Sequence, residues 1–279
     1  MNEVKDNVDT RTLKVLSLYS GIGGIELGLS AVIRTRTVCY VERELSCIRV
    51  LIKRAEEGWL DSAPIYSDVA TFPTEEFKDT DIITAGFPCQ PWSWANSRGH
   101  QTGNIGEGDE RNGWPDTIRI IREIRPSLVF LENVPNLLNN PYFGTILGEL
   151  AQTGYDAEWN CFTGADIGAP QIRKRLFILA YPNNEGLQGR SLRALRTADK
   201  ISSGDVRPPM DGISVFPPAP DDLEGWTQVW KEMPDAAPGV CKLAPGIPDR
   251  VGELQVYGNS VIPAMAGFAF KSLSENIMN

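Results

Sequence analysis

The sequence predicts an α/β fold: a Rossmann-like, doubly wound and mainly parallel sheet, joined to a small, irregular region without a large core of its own. Three observations predict it. Short apolar runs near residues 14–18, 38–41, 81–85 and 127–131 alternate with segments of helical period, the pattern of strand–helix–strand units. Those runs end in glycine turns or acids, at what would be the carboxyl edge of the sheet, where open α/β folds bind ligands. Beyond Pro182 the composition turns to Asn, Gly, Arg, Pro and Asp, and apolar residues become too scattered to build a second core.

Met1 to Asp9 is polar and alternately charged, so it reads as a frayed tail and not as a signal peptide. Leu13 to Leu18 alternates and then breaks into Tyr19-Ser20-Gly21-Ile22-Gly23-Gly24-Ile25-Glu26, a strand, glycine turn and helix start. Glycines let the backbone approach a ligand closely, and a helix start offers free N–H groups to a carboxylate or phosphate. The spacing is not the full G-x-G-x-x-G of a dinucleotide site. Val38 to Val41 is the second strand and ends at Glu42, about twenty residues after the glycines, where an acid holds ribose hydroxyls in nucleotide folds.

The third strand, Asp81 to Ala85, runs into Gly86-Phe87-Pro88-Cys89-Gln90-Pro91 and so sets a cysteine in a tight turn at a strand end. Taken alone, Cys89 is equally a nucleophile and a small buried thiol. Asp116 to Arg125 is the clearest helix, with Ile118, Ile121 and Ile124 on one face and Arg119, Arg122 and Glu123 around the other. Pro126 to Leu131 is a buried strand ending in Glu132-Asn133-Val134-Pro135. Adjacent parallel strands deliver their ends to the same sheet edge, so Cys89 and Glu132 can face one pocket; by itself Glu132 reads as a solvated loop acid or a helix N-cap. Phe143 to Ala151 carries Phe143, Ile146, Leu147 and Leu150 on a helix that Gly154 stops, and Leu176 to Ala180 follows as a buried strand. Trp226 and Trp230, one helical turn apart, anchor a short helix, and Ile262 to Leu273 forms a final helix that returns to the main domain.

A chain of 279 residues suffices for one large α/β domain plus a small appendage, and no run approaches the roughly 18 apolar residues of a membrane span. The five cysteines, at 39, 47, 89, 161 and 241, are odd in number and form no C-x-x-C pair. That argues against a disulfide framework or zinc site, and for a reducing, cytoplasmic compartment. With His100 the single histidine, no His-based metal centre or triad is expected. The net charge of −9 opposes general phosphate binding. From Arg173 to Arg207, however, eight basic residues (Arg173, Lys174, Arg175, Arg190, Arg193, Arg196, Lys200 and Arg207) face three acids (Glu185, Asp199 and Asp205). A basic strip on an acidic body binds DNA in one cleft; a solvated charged loop is the competing reading.

In linear order, Ser17-Leu18-Tyr19-Ser20-Gly21-Ile22-Gly23-Gly24, Val41-Glu42, Ser67-Asp68-Val69, Gly86-Phe87-Pro88-Cys89-Gln90-Pro91-Trp92-Ser93, Glu132-Asn133-Val134, Gln171-Ile172-Arg173-Lys174-Arg175 and Gly258-Asn259-Ser260-Val261 resemble the blocks of the DNA (cytosine-5) methyltransferases, S-adenosylmethionine-dependent enzymes, here of prokaryotic or phage type. The resemblance covers most of the chain. It implies a catalytic, S-adenosylmethionine-binding domain over 1–181, a target-recognition region over 182–237, small for the family, and a C-terminal segment over 238–279 that returns to the catalytic domain.

The chemistry implied is methyl transfer to C5 of a cytosine flipped out of the duplex, through a covalent adduct between Cys89 and C6. Glu132 matches the acid that binds N3 and the amino group, and Arg173 and Arg175 match residues that hold the base's O2 and shape the pocket. Gln90 and Ser93 match positions beside the flipped nucleotide or its phosphate; ordinary turn groups are the equal alternative. For the cofactor, Tyr19, Gly21 and Gly23 match the loop around the methionine end and adenine, Glu42 the ribose acid, Asp68 the adenine-amino contact and Val69 the ring contact. Asn259 and Val261 match the block that closes the methionine pocket, and Trp114 is expected to pack near the cofactor. Two positions depart from the family: Ser17 stands where Asp is frequent, and Arg43 follows Glu42 where an aromatic is frequent. Both bear on cofactor affinity.

The implied partner is double-stranded DNA. A monomer is expected, not bound to a membrane, with a cognate restriction enzyme in the same system as one setting and an orphan or viral role as others. S-adenosylhomocysteine is the implied product, and the small recognition region implies a target of roughly two to four base pairs. Competing readings are a tRNA cytosine-5 methyltransferase of the same fold and a DNA-binding regulator without turnover.

Overall fold

The computed structural model describes residues 12–88, 112–169, 173–183 and 260–278, together with single helical positions at 224, 227 and 231. Along the chain run β1 (Leu13–Leu18), α1 (Gly24–Ser30), β2 (Thr35–Val41), α2 (Leu45–Glu56), β3 (Ile65–Tyr66), β4 (Ile82–Ala85), α3 (Trp114–Ile124), β5 (Leu128–Asn133), α4 (Tyr142–Gln152), β6 (Tyr155–Thr163), β7 (Lys174–Pro182) and α5 (Pro263–Met278). The strands form one seven-stranded sheet in the order β3-β2-β1-β4-β5-β7-β6. The first five in that order are parallel, while β7 runs antiparallel to both β5 and β6.

This is the expected mainly parallel sheet, and the order reverses at β1 and β4, where ligand crevices open in such folds. β5 is buried at every position, as a strand covered on both faces requires. Leu16, Leu18, Ile83, Ala85, Val129, Leu131 and Ile178 point into one core with Trp114, Ile118 and Ile121 of α3 and Ile146 and Leu150 of α4. Val15, Ile82, Phe130, Phe177 and Leu179 point into the other, under α1 and α5. Each such side chain, fully buried, contributes about 1.5–3 kcal/mol relative to exposure.

α5 is tied in by Phe270, whose ring stands edge-on to Phe130 at 5.3 Å, and by close contact with α1, where Gly267 and Gly28 leave no room for side chains. α3 ends at Arg125, which adopts the left-handed conformation (φ 59°) and turns the chain ahead of Pro126. The expected boundaries of α3 and α4 match those observed within two residues; α5 starts within one residue of the expected Ile262 but runs five residues past the expected Leu273, to Met278.

Two strands go beyond the sequence reading: the two-residue β3 and the nine-residue β6. β6 lies at the sheet edge and interleaves its apolar residues, Tyr155, Ala157, Trp159, Cys161 and Phe162, with polar ones, so it offers no continuous apolar run. Trp226, Trp230 and most of the expected recognition region over 182–237 lie outside the described residues. No described helix is long and apolar enough to cross a membrane.

Candidate active site

The site is built on the carboxyl ends of β1, β2, β4 and β5 and on the start of β7. On the β1–β2 side the chain leaves the sheet through two left-handed residues, Tyr19 (φ 51°) and Gly21 (φ 54°), before Gly23 (φ 79°) opens α1. Glu42, at the end of β2, braces this turn: Oε2 accepts from the Gly21 amide at 2.7 Å and Oε1 from the Glu44 amide at 2.8 Å. Burial pushes the Glu42 carboxyl up, and the backbone N–H groups that bind it pull it back.

The two predicted cofactor glycines divide their work. A side chain on Gly21 would meet nothing within 4 Å, so this backbone faces open space. On Gly23 a Cβ would lie 2.5 Å from Leu60 Cδ1, so that glycine serves the packing of α1 as well as the turn. Asp68 caps the short 3₁₀ turn Val69–Thr71, accepting from the Ala70 amide and the Thr71 hydroxyl, both at 3.0 Å, and its carboxylate is exposed. Val69 packs half-buried against the core, and its carbonyl accepts from Arg119 at 2.8 Å. Val261 arrives from the far end of the chain, its carbonyl oxygen 2.5 Å from where a Cβ on Gly24 would sit.

On the β4–β5 side, Gly86 lies between the two halves. A Cβ there would sit 3.5 Å from Glu132 Oε2 and 3.8 Å from the Tyr19 carbonyl oxygen. Phe87 is buried beside Trp114, with ring centroids 5.5 Å apart. Asn133 donates from Nδ2 to the Phe87 carbonyl at 3.2 Å, fixing the turn just ahead of Cys89. Across the cleft the Tyr19 hydroxyl donates to the Gly113 carbonyl at 2.9 Å, and the Gly113 amide donates to the Pro88 carbonyl at 3.4 Å.

Because β7 is antiparallel, its start meets the end of β5, with Glu132 opposite Phe177 and Asn133 opposite Leu176. Arg175 thereby reaches Glu132, Nε to Oε1 at 2.8 Å, with both side chains largely buried. Arg173 also faces Glu132; its guanidinium donates from Nη2 to the Ser260 carbonyl, while its buried Nε has no partner among the described residues.

Burial pushes the Glu132 carboxyl up to about 7, against the pull of Arg175 and Arg173. Burial and the like charge of Arg175 bring Arg173 down to about 10, still protonated at neutral pH. An acid poised near neutrality beside two cations can donate a proton, or a hydrogen bond, to a ring nitrogen while the guanidinium groups meet a carbonyl oxygen.

The structure thus brings together Tyr19, Gly21, Glu42, Glu132, Arg173, Arg175 and Val261, with Asp68 and Val69 on the turn beyond β3. Trp114, expected beside the cofactor, sits one layer deeper. It is fully buried, and its indole N–H donates to Glu149 of α4 at 2.6 Å, so it backs Phe87 from within the core. Cys89, Gln90, Ser93 and Asn259 lie outside the described residues. Asn133 and the Tyr19–Gly113 bond were not anticipated; the Asn next to Glu132 was the visible signal for the first, and the second joins positions too far apart to read.

The family model described as C-5 cytosine-specific DNA methylase matches residues 13–212. The Type II methyltransferase M1.ScrFI of Lactococcus lactis subsp. cremoris is 31% identical over 180 residues, which cover 63% of this chain and 43% of that relative. The Type II methyltransferase M.CviJI of Paramecium bursaria Chlorella virus IL3A is 33% identical over 170 residues, covering 61% and 43% respectively. The chain therefore spans less than half the length of these curated relatives. A crystal structure of a Spodoptera frugiperda DNMT2 mutant shares the fold, with a TM-score of 0.51 and 20% identity over 62% of this chain and 51% of that one. The matched stretch takes in the glycine turn, Cys89, Glu132, Arg173 and Arg175, and the chain belongs to the C-5 cytosine-specific DNA methylase family.

Proposed function

We propose that this chain transfers a methyl group from S-adenosylmethionine to C5 of a cytosine flipped out of double-stranded DNA. The observation that carries the reading is Glu132, a buried acid held at about 7 and bonded to Arg175, one sheet position from the turn that leads to Cys89. The cofactor side fits the same reading. Gly21 leaves open backbone at the end of β1, Glu42 stands at the end of β2 where ribose hydroxyls would bind, and Asp68 offers an exposed carboxylate to an adenine amino group. Bound S-adenosylmethionine would supply an electrophilic methyl group.

Cytosine C5 is too weak a nucleophile to take that methyl group unaided. The Cys89 thiolate, its proton gone to solvent, forms a bond to C6, and the electron pair displaced toward N3 is met there by the proton of Glu132. Arg173 and Arg175 hold O2, and C5, now enamine-like, would take the methyl group, leaving S-adenosylhomocysteine. Water then removes the C5 proton, the electrons of that C–H bond restore the C5–C6 double bond as the sulfur leaves as thiolate, and N3 returns its proton to Glu132.

Gln90 and Ser93 lie beside the flipped nucleotide in this reading, and Asn259 with Val261 closes the methionine pocket. Residues 182–237 read the target. The Type II naming of the relatives supports a modification enzyme with a cognate restriction endonuclease.

The test is bisulfite sequencing of unmethylated plasmid after incubation with the purified chain and S-adenosylmethionine, beside Cys89→Ala. Protected cytosines at a short common sequence, absent with the variant, are expected. No protection by a folded wild-type chain would contradict the reading, and methylation of a tRNA instead would move it to RNA.

A further inference from the structure

One buried acid takes no part in that chemistry. Glu26, in the first turn of α1, is 4% exposed and accepts from the Thr84 hydroxyl at 2.6 Å through Oε1, while its Oε2 has no hydrogen-bond partner among the described residues. Thr84 is 0% exposed and lies directly opposite Ser17 in the β1–β4 register. Ser17 faces the same carboxyl from β1, and its hydroxyl donates to Ser20 at 2.8 Å, whose own hydroxyl reaches the Ser17 and Val41 carbonyls.

The location is specific. Two residues beyond Ser17 comes Tyr19, the start of the cofactor turn, and two beyond Thr84 comes Gly86, the start of the Cys89 turn. An uncompensated carboxyl is costly at such a depth, and an apolar residue would carry no such penalty. Burial pushes the Glu26 carboxyl up, and the hydrogen bond from Thr84, with Ser17 and its own backbone amide, offsets that only in part.

We infer that Glu26 is a positioning residue for the methyl transfer, tying α1 to β4 through Thr84 so that the cofactor turn and the nucleophile turn keep a fixed separation. The inference rests on the proposed function for its kinetic consequence, but the tie itself is a property of the ligand-free chain. Near-attack geometry tolerates little displacement between the two reacting partners, so a loosened tie reduces turnover without abolishing binding.

The test has two arms on the full chain. In the first, hydrogen–deuterium exchange without ligand compares wild type, Glu26→Gln, Glu26→Leu and Thr84→Val. Exchange over residues 19–26 and 82–88 is expected to rise together, by about tenfold, in Thr84→Val and Glu26→Leu, and to stay near wild type in Glu26→Gln, whose amide oxygen still accepts from Thr84. In the second arm, kcat is measured per active site, counted by covalent trapping on DNA carrying 5-fluorocytosine. The same two variants should lose about tenfold in kcat with the KM for S-adenosylmethionine within about threefold of wild type, and Glu26→Gln should recover turnover.

Exchange rising in one segment only, or kcat per trapped site within twofold of wild type in Thr84→Val, would overturn the inference. So would Glu26→Gln failing as badly as Glu26→Leu. Thr84→Val, nearly equal in volume, carries the test should Glu26→Leu not fold. Coupled exchange in a wild-type chain that neither traps DNA nor transfers methyl would leave the tie standing and overturn the function.

Discussion

The two sides of this site, the cofactor side and the base side of the proposed function, solve the same problem, holding acids at strand ends, in opposite ways. On the β1–β2 side Glu42 is satisfied by the Gly21 and Glu44 amides, so the turn is braced before any ligand arrives. On the β4–β5–β7 side Glu132 meets a charged partner, Arg175, and a second cation, Arg173, whose buried Nε is unpartnered among the described residues. The first arrangement is self-sufficient. The second leaves a buried guanidinium N–H unpartnered among the described residues, beside an acid and a cation that can meet a developing charge.

The largest effect expected from breaking this contrast follows loss of the Glu132 proton. Glu132→Gln should lower kcat/KM by about 10²–10⁴, the usual value of a positioned acid. The pH dependence follows from the raised carboxyl at about 7. In the proposed mechanism the protonated fraction of Glu132 falls about tenfold per pH unit above that value. The alkaline limb of a pH–rate profile should therefore lie near 7 in wild type and vanish in Glu132→Gln.

Stability carries the same sign. A carboxyl raised from 4.5 in the unfolded chain to about 7 in the folded one contributes stability that is fully present below 4.5 and is lost as the pH rises through 7. The full contribution is on the order of 3 kcal/mol, most of it lost between pH 5 and pH 8, and a comparison of urea midpoints at those two values should show the difference disappear in the Gln variant.

A smaller effect separates the two cations. Arg175 pulls the Glu132 carboxyl down, so Arg175→Ala should move the alkaline limb upward while lowering kcat/KM by about ten- to a hundredfold through loss of base contacts. A limb that stayed in place would mean that the ion pair does not set this acidity.

The smallest effects sharpen the cofactor side. Gly23→Ala combines a positive φ with a clash on Leu60 and should cost about 1–3 kcal/mol of stability. Gly21→Ala meets open space and should cost only about 1 kcal/mol, yet weaken S-adenosylhomocysteine binding more than Gly23→Ala does. Thermal unfolding beside calorimetric titration of both variants separates the two roles.

Much of this architecture was legible in local pattern. The apolar runs that became β1, β2, β4, β5 and β7 are buried, so hydrophobic burial wrote them into the composition. β6 was not, because its apolar residues alternate with polar ones and form no continuous run. Nor does periodicity record direction. Nothing in Leu176 to Ala180 announces that β7 runs against its neighbour, yet that reversal brings Arg173 and Arg175 to Glu132.

In the site, strand-end residues were readable because turn chemistry is local. The ties that position them, Asn133 to Phe87, Tyr19 to Gly113 and Thr84 to Glu26, join residues tens of positions apart and exist only once the sheet is assembled. Trp114 shows the same limit from the other side. Its neighbours in sequence suggested a ligand contact, and the packing of α3 on α4 placed it in the core.

The measurement closest to the central claim is a carbon-13 titration of glutamate carboxyls in the ligand-free chain, with Glu132→Gln to assign the resonance. A Glu132 carboxyl that titrates near 7 is the predicted result. Titration at or below the ordinary 4.5 would show an ion pair already fully formed with Arg175, leaving no proton to give, and would contradict the account of the base side.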